Sequence, residues 1–178
     1  MPNRTGTAYA LTTFARLEDS ADADELERYL QELPRGADSP FHRLTGVHLT
    51  RVQLFRTLVH QGPKQTHDDR LRHPHLVFTS VFDGDRDAYL DQLRVKVPEC
   101  DRWWGDCVGY PGRSDAAAFA AWVRSLQRTT TLFQSPFPTA TVGRIRESVA
   151  MRERVLDFAV STQGLDDDAL LRRFREDF

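Results

Sequence analysis

The sequence predicts an α+β fold: a four-stranded antiparallel sheet with helices packed on it. Three observations predict it. Stretches rich in Thr, Val, Phe and Tyr alternate with stretches whose apolar residues recur at i, i+3, i+4 and i+7. Read along the chain, they give the order β-α-β-β-α-(α)-β-α-α. One of the strands, LVFTSVF at 76–82, is apolar on both sides, and a strand of that kind is covered on both sides. The 178 residues suit a single domain, with a core at about 5–160 and a C-terminal helix at about 166–178.

Thr5 to Leu17 reads as the first strand. A helix follows over 23–33, with Asp22 as N-cap and Glu25 in the capping-box position. Leu26, Tyr29, Leu30 and Leu33 form its apolar stripe, and Pro34 and Gly36 stop it. Residues 45–60 make a second strand whose faces are both mixed and apolar. The polar, proline-containing stretch 61–74 reads as a long hairpin loop. After the doubly apolar strand, Asp83-Gly84-Asp85 turns the chain and caps a helix over 86–95, with Tyr89, Leu90 and Leu93 inward. Residues 98–113 read as a helical turn and a loop punctuated by Gly105, Gly109, Pro111 and Gly112. Ser114 caps a helix with Phe119, Trp122, Val123 and Leu126 on one side. TTTLFQS at 129–135 reads as the fourth strand. A long helix over 142–160 and a short one capped by Asp166, bearing Leu170, Leu171, Phe174 and Phe178, complete the chain.

The composition narrows the function. A formal net charge of −2 gives a nucleic-acid partner little electrostatic support. No apolar run approaches the length of a membrane span, and the N-terminal residues lack the apolar region of a signal peptide. The two cysteines, Cys100 and Cys107, read as reduced packing thiols. The expectation is a cytoplasmic protein without membrane insertion.

The first six principal elements have the split βαβ, ferredoxin-like arrangement. Its helices cover one face of the sheet, and the other face would be a bare apolar patch. Two copies packed sheet to sheet would bury it, giving a homodimer built around an eight-stranded β-barrel.

LVFTSVFDGDRDAYLDQL, the loop WWGDCVGYPG and the return PFPTATVGRIRESVAMRERV resemble the ferredoxin-like proteins of the dimeric α/β-barrel superfamily. That group includes dye-decolourising peroxidases, chlorite-dismutase-like haem proteins and antibiotic-biosynthesis monooxygenases. The resemblance spans roughly residues 5–160 by element order. Small members of the group sit in polyketide and enediyne pathways, where an apolar barrel holds a polyketide-like chain. The resemblance therefore implies a binding protein for an elongated hydrophobic molecule, a fatty-acyl, polyene or polyketide-like chain, in bacterial natural-product biosynthesis. A cofactor-free monooxygenase or a haem-dependent peroxidase-like enzyme is the alternative.

No cofactor is expected under the first reading, and haem is the alternative cofactor. Haem requires an axial ligand, usually a histidine, in a dry pocket. The six histidines are His42, His48, His60, His67, His73 and His75, and none follows His75. The glycine that leads the GxxDG motif of the dye-decolourising peroxidases is missing from VFDGD. A metal set could be drawn from His73-Pro74-His75 with His67, Asp68 and Asp69, but it lies in the polar loop. Cys107 has no histidine near it in sequence to lower its pKa. Trp103 and Trp104 either orient a substrate at the barrel mouth or pack the loop against the helices. For a pocket, the small residues Ala8, Ala10, Thr12, Thr79 and Ser80 leave room. His48, Arg51 and Gln53 are the polar strand residues able to orient a ligand. Both strand faces are apolar, so the lining set draws on both: Phe55, Phe78, Ser80 and Phe82, with Trp103 and Trp104 at the mouth.

Overall fold

The sheet is held together by one long central strand. In the computed structural model, which describes residues 3–60, 62–67 and 69–178, the strands are β1 (Arg4–Thr5), β2 (Ala8–Arg16), β3 (Val47–Thr57) and β4 (Arg70–Asp83). They form one four-stranded sheet in the order β1-β2-β4-β3. β4 runs antiparallel to both β2 and β3, so those two are parallel to each other with β4 between them. The link from β2 to β3 carries helix α1 (Ala23–Glu32), which makes β2-α1-β3 a split βαβ unit. β4 begins earlier than the sequence suggests and takes in His73-Pro74-His75. Pro74 is tolerated there because the β3–β4 pairing is irregular between Phe55 and Thr57.

The fourth strand is not the expected one. Residues 129–135 form no strand. The free edge of β2 is taken by β1, paired as Arg4↔Tyr9 and Thr5↔Ala8. The expected first strand therefore folds back on itself, turning at Gly6, where φ is +59°. A two-residue hairpin closes at little entropic cost, whereas a strand from 129–135 must return across more than a hundred residues of chain. What remains of the expected pairing is a single bridge, Thr13↔Gln127, and the bond from Arg128 N–H to the Thr12 carbonyl at 2.8 Å. The segment beyond them is tied on the outside. Thr5 Oγ1 donates to the Phe133 carbonyl at 2.6 Å, and Thr7 N–H to the Pro138 carbonyl at 2.8 Å. The full ferredoxin-like order is thus not completed by this segment.

Aspartates start the helices. Asp22 accepts from the N–H groups of Asp24 and Glu25, opening α1. Glu25 does not close a capping box; its carboxylate meets Arg102 Nη2 at 2.5 Å. Asp85, rather than Asp83, caps α2 (Arg86–Lys96), accepting from Asp87 and Ala88 N–H. Helix α3 is the short turn Cys100–Trp104. Asp115, one residue past the expected Ser114, caps α4 (Ala116–Leu126). A free carboxylate at these positions meets the unpaired amides of the first turn.

The core lies between the helices and one face of the sheet. β2 supplies Leu11, Thr13 and Ala15, paired with Ser80, Phe78 and Leu76 of β4. β3 adds Val52 and Leu54 opposite Phe78 and Leu76. These pack against Leu26 of α1, Leu90 and Leu93 of α2, Trp103 and Trp104 of α3, and Phe119 and Val123 of α4. Each large side chain so buried contributes about 1.5–3 kcal/mol relative to exposure.

The chain divides into two compact units after Thr139. Everything above belongs to the first. The second, Ala140–Phe178, holds α5 (Val142–Ser161) and α6 (Asp167–Asp177). Thr141 caps α5 by accepting from Arg144 N–H at 3.2 Å, and Asp166 caps α6 by accepting from Ala169 N–H at 2.8 Å. The helices are joined by a three-ring cluster in which Phe158 stands 5.8 Å from Phe174 and 5.7 Å from Phe178. The apolar stripe of α5 exists as expected, yet Ile145, Val149 and Leu156 are each more than 40% exposed. Neither these helices nor any other among the described residues is long and apolar enough to cross a membrane.

Candidate functional site

The strands alternate, so each residue that enters the core leaves its neighbours on the second face of the sheet. Cross-strand register sorts that face into rows. Ala10, Val81 and Leu49 form one row; Thr12, Thr79 and Arg51 the next; Phe14, Val77 and Gln53 a third; Arg16, His75 and Phe55 a fourth. None of these residues joins the core of the first unit. Phe14, Leu49 and Phe55 are 40%, 53% and 38% exposed, while Ala10 and Val77 form a low floor between them. The face is apolar at its flanks and crossed by one polar band.

At the end next to the Ala10 row, a β-bulge sets His48 out of the ladder between Val47 and Leu49. Bulges of this kind re-aim a side chain. Here the ring turns toward the last residue of β4, and His48 Nε2 stands 2.9 Å from Asp83 Oδ1. A carboxylate at Nε2 keeps the proton of the neutral ring there and makes Nδ1 the acceptor. Asp83 itself sits close under Gly46, whose φ is +74°. The opposite end of the face is closed by polar pairs: Arg16 with Asp19 at 3.8 Å and His73 Nδ1 with the same carboxylate at 2.9 Å.

The sequence-derived pocket residues divide between the two faces. Arg51, Gln53 and Phe55 lie together on the second face, with His48 at its edge. Phe78, Ser80 and Phe82 point the other way and are fully buried beneath the helices. Trp103 and Trp104 are buried with them, Trp103 5.5 Å from Phe41 and Trp104 5.1 Å from Phe78. The two tryptophans thus pack α3 against the sheet and lie away from the second face. The Tyr89 hydroxyl, also in this core, faces the hydroxyls of Thr50 and Ser80 without closing a hydrogen bond, and burial raises its pKa. Residues that sequence reasoning passed over as site residues are Phe14, Leu49, Val81 and Asp83. Their common signal, membership of one face, becomes readable only once the register of β2 on β4 is known.

The other candidate chemistries find little support in the arrangement. None of the six histidines is buried, so a single chain offers haem no imidazole in a dry pocket. His75 Nδ1 is turned back to the His73 carbonyl at 2.9 Å, His73 is held by Asp19, and His67 Nε2 stands 3.1 Å from Asp69. Each of these rings is thus taken up by a different partner, and Asp68, like Gln61, lies outside the described residues. Among the described residues no three His, Cys, Asp or Glu side chains gather around a point that could hold an ion. Burial pushes the Cys100 and Cys107 thiols up to about 12, which suppresses thiolate chemistry. None of the protein-family models, curated proteins or solved structures compared with this chain matches it.

Proposed function

We propose that two copies of this chain pair through the second faces of their sheets and hold an elongated apolar molecule between them, a fatty-acyl, polyene or polyketide-like chain. One observation carries the reading: Phe14, Leu49 and Phe55 remain exposed around a floor of Ala10, Thr12, Thr79 and Val77, on a face that the first unit's core leaves out. Apolar surface of this extent on a sheet favours a covering partner, and small residues at its centre favour a space rather than a solid seam. Natural-product biosynthesis is suggested as the setting by the resemblance seen in the sequence.

The test is the assembly state of the purified protein together with what it carries. Sedimentation at micromolar concentration is expected to give a dimer, and solvent extraction followed by mass spectrometry an apolar chain. Leu49→Asp, at an exposed site, is expected to give a folded monomer with unchanged circular dichroism that carries no such chain. A wild-type monomer at that concentration, or a dimer that Leu49→Asp leaves intact, overturns the reading.

A further inference from the structure

We infer that Arg51 is the anchor for an anionic headgroup, so that the bound molecule is a long-chain carboxylate rather than a neutral hydrocarbon or alcohol. The inference rests on the pocket reading above and narrows its ligand. It starts from position. Arg51 is an exposed cation in the polar band of the second face, directly across from Thr79, which in turn pairs with Thr12. Among the described residues its guanidinium has no hydrogen bond or ion pair; only its backbone carbonyl is engaged, by Thr79 Oγ1 at 3.4 Å. Of the two arginines in the rows of this face, Arg16 is paired with Asp19 and Arg51 is not.

Charge balance then becomes decisive. Closing the face would take the guanidinium out of water, and an unpaired buried cation is strongly disfavoured. The strand positions of this face contain one carboxylate, Asp83. It lies four residues along β4 from Thr79, about 13 Å at the rise of a strand, and is engaged by His48. A second copy brings its own Arg51 and its own Asp83, the latter engaged by its own His48, so pairing adds a guanidinium for each carboxylate and leaves no unengaged one among these positions. A ligand carboxylate supplies one. It matches the guanidinium fork with two parallel N–H···O bonds, and the Thr12 and Thr79 hydroxyls flank it as further donors. The chain of the ligand then runs from this band over Val77 toward Phe14 and Phe55, the aromatic part of the face.

Calorimetric titration of the full-length protein with dodecanoate and with dodecanol tests this, using wild type, Arg51→Gln and Arg51→Lys, with the dimer followed by sedimentation. Wild type is expected to bind dodecanoate about tenfold or more tighter than dodecanol, the scale of a charge-assisted pair. Arg51→Gln should erase that preference by weakening dodecanoate alone, and Arg51→Lys should keep part of it. Equal binding of the two probes by wild type, or a preference that survives in Arg51→Gln, overturns the anchor while leaving the pocket standing. Failure of wild type to bind either probe removes the pocket, and the anchor with it.

Discussion

Gly6 shows how much a single position decides. An added Cβ there would lie 1.8 Å from the Pro138 carbonyl oxygen, and the backbone has a positive φ of +59°. The same carbonyl accepts the Thr7 N–H, so it cannot simply move away. Gly6→Ala therefore meets both left-handed strain and a backbone clash. It should lower stability by about 2 kcal/mol or more, read as a lower urea midpoint at unchanged slope. A variant as stable as wild type would mean that the tie to Pro138 is not formed. In the sequence Gly6 looked like one residue of a strand from Thr5 to Leu17, because nothing local reveals that a carbonyl 132 positions away needs its space. The same blindness covers His48 and Asp83, which meet only because a bulge turns the ring. By contrast Cys107 was legible: a cysteine with no histidine nearby reads as packing, and it is buried with its thiol directed to the Trp103 carbonyl at 3.8 Å.

Helices were more legible than strands, since their signals are local. Asp22 and Asp166 announce α1 and α6 within three residues of the amides they cap. Asp85 allows a quantitative test. Hydrogen bonds from Ala88 and then Asp87 N–H hold its carboxyl below the ordinary 3.8. A carboxyl whose pKa is lower folded than unfolded stabilises the fold above its unfolded value, and that contribution fades as pH falls through the folded one. Asp85→Ala should cost about 1 kcal/mol at pH 7. The gap to wild type should narrow in urea titrations below about pH 4, as the wild-type carboxyl protonates. A gap unchanged with pH would assign the cost to something other than the charged cap. Strand pairing was harder to read. Residues 129–135 have strand composition, yet the edge they would occupy is claimed by Arg4–Thr5, whose hairpin closes over two residues. The doubly apolar β4 correctly signalled cover on its helix side, where Leu76, Phe78 and Phe82 are buried. It could not say that Val77, Thr79 and Val81, rather than Phe78 and Phe82, lie on the face turned away from the helices.

At the scale of the whole molecule, the two units differ in how they are built. The first has a core of buried side chains drawn from three strands and four helices. In the second only Val142 and Thr162 are buried, and α5 and α6 meet mainly through Phe158, Phe174 and Phe178. Regions with few buried contacts open locally at low cost. Amide exchange in α5 and α6 should therefore run about a hundredfold or more faster than in β2 and β4, measured by mass spectrometry at neutral pH. Equal protection throughout would mean that the second unit is stabilised by more than its own ring cluster. The sequence gives both helices with their apolar stripes and the Asp166 cap of α6, but not the Thr141 cap of α5. It does not tell how far the stripes are covered, because periodicity records which side is apolar and is silent on what that side meets.

The irregularities in β3 have a consequence for how copies can associate. β3 is an outermost strand, and its hydrogen-bonding groups on the outward side have no sheet neighbour. A long flat border of that kind recruits other chains end over end into fibres. Breaks near Val47–Leu49 and Phe55–Thr57 kink it at both extremities, and on the far side of the sheet the border strand is only two residues long. Open-ended growth from either border of the sheet is thereby discouraged.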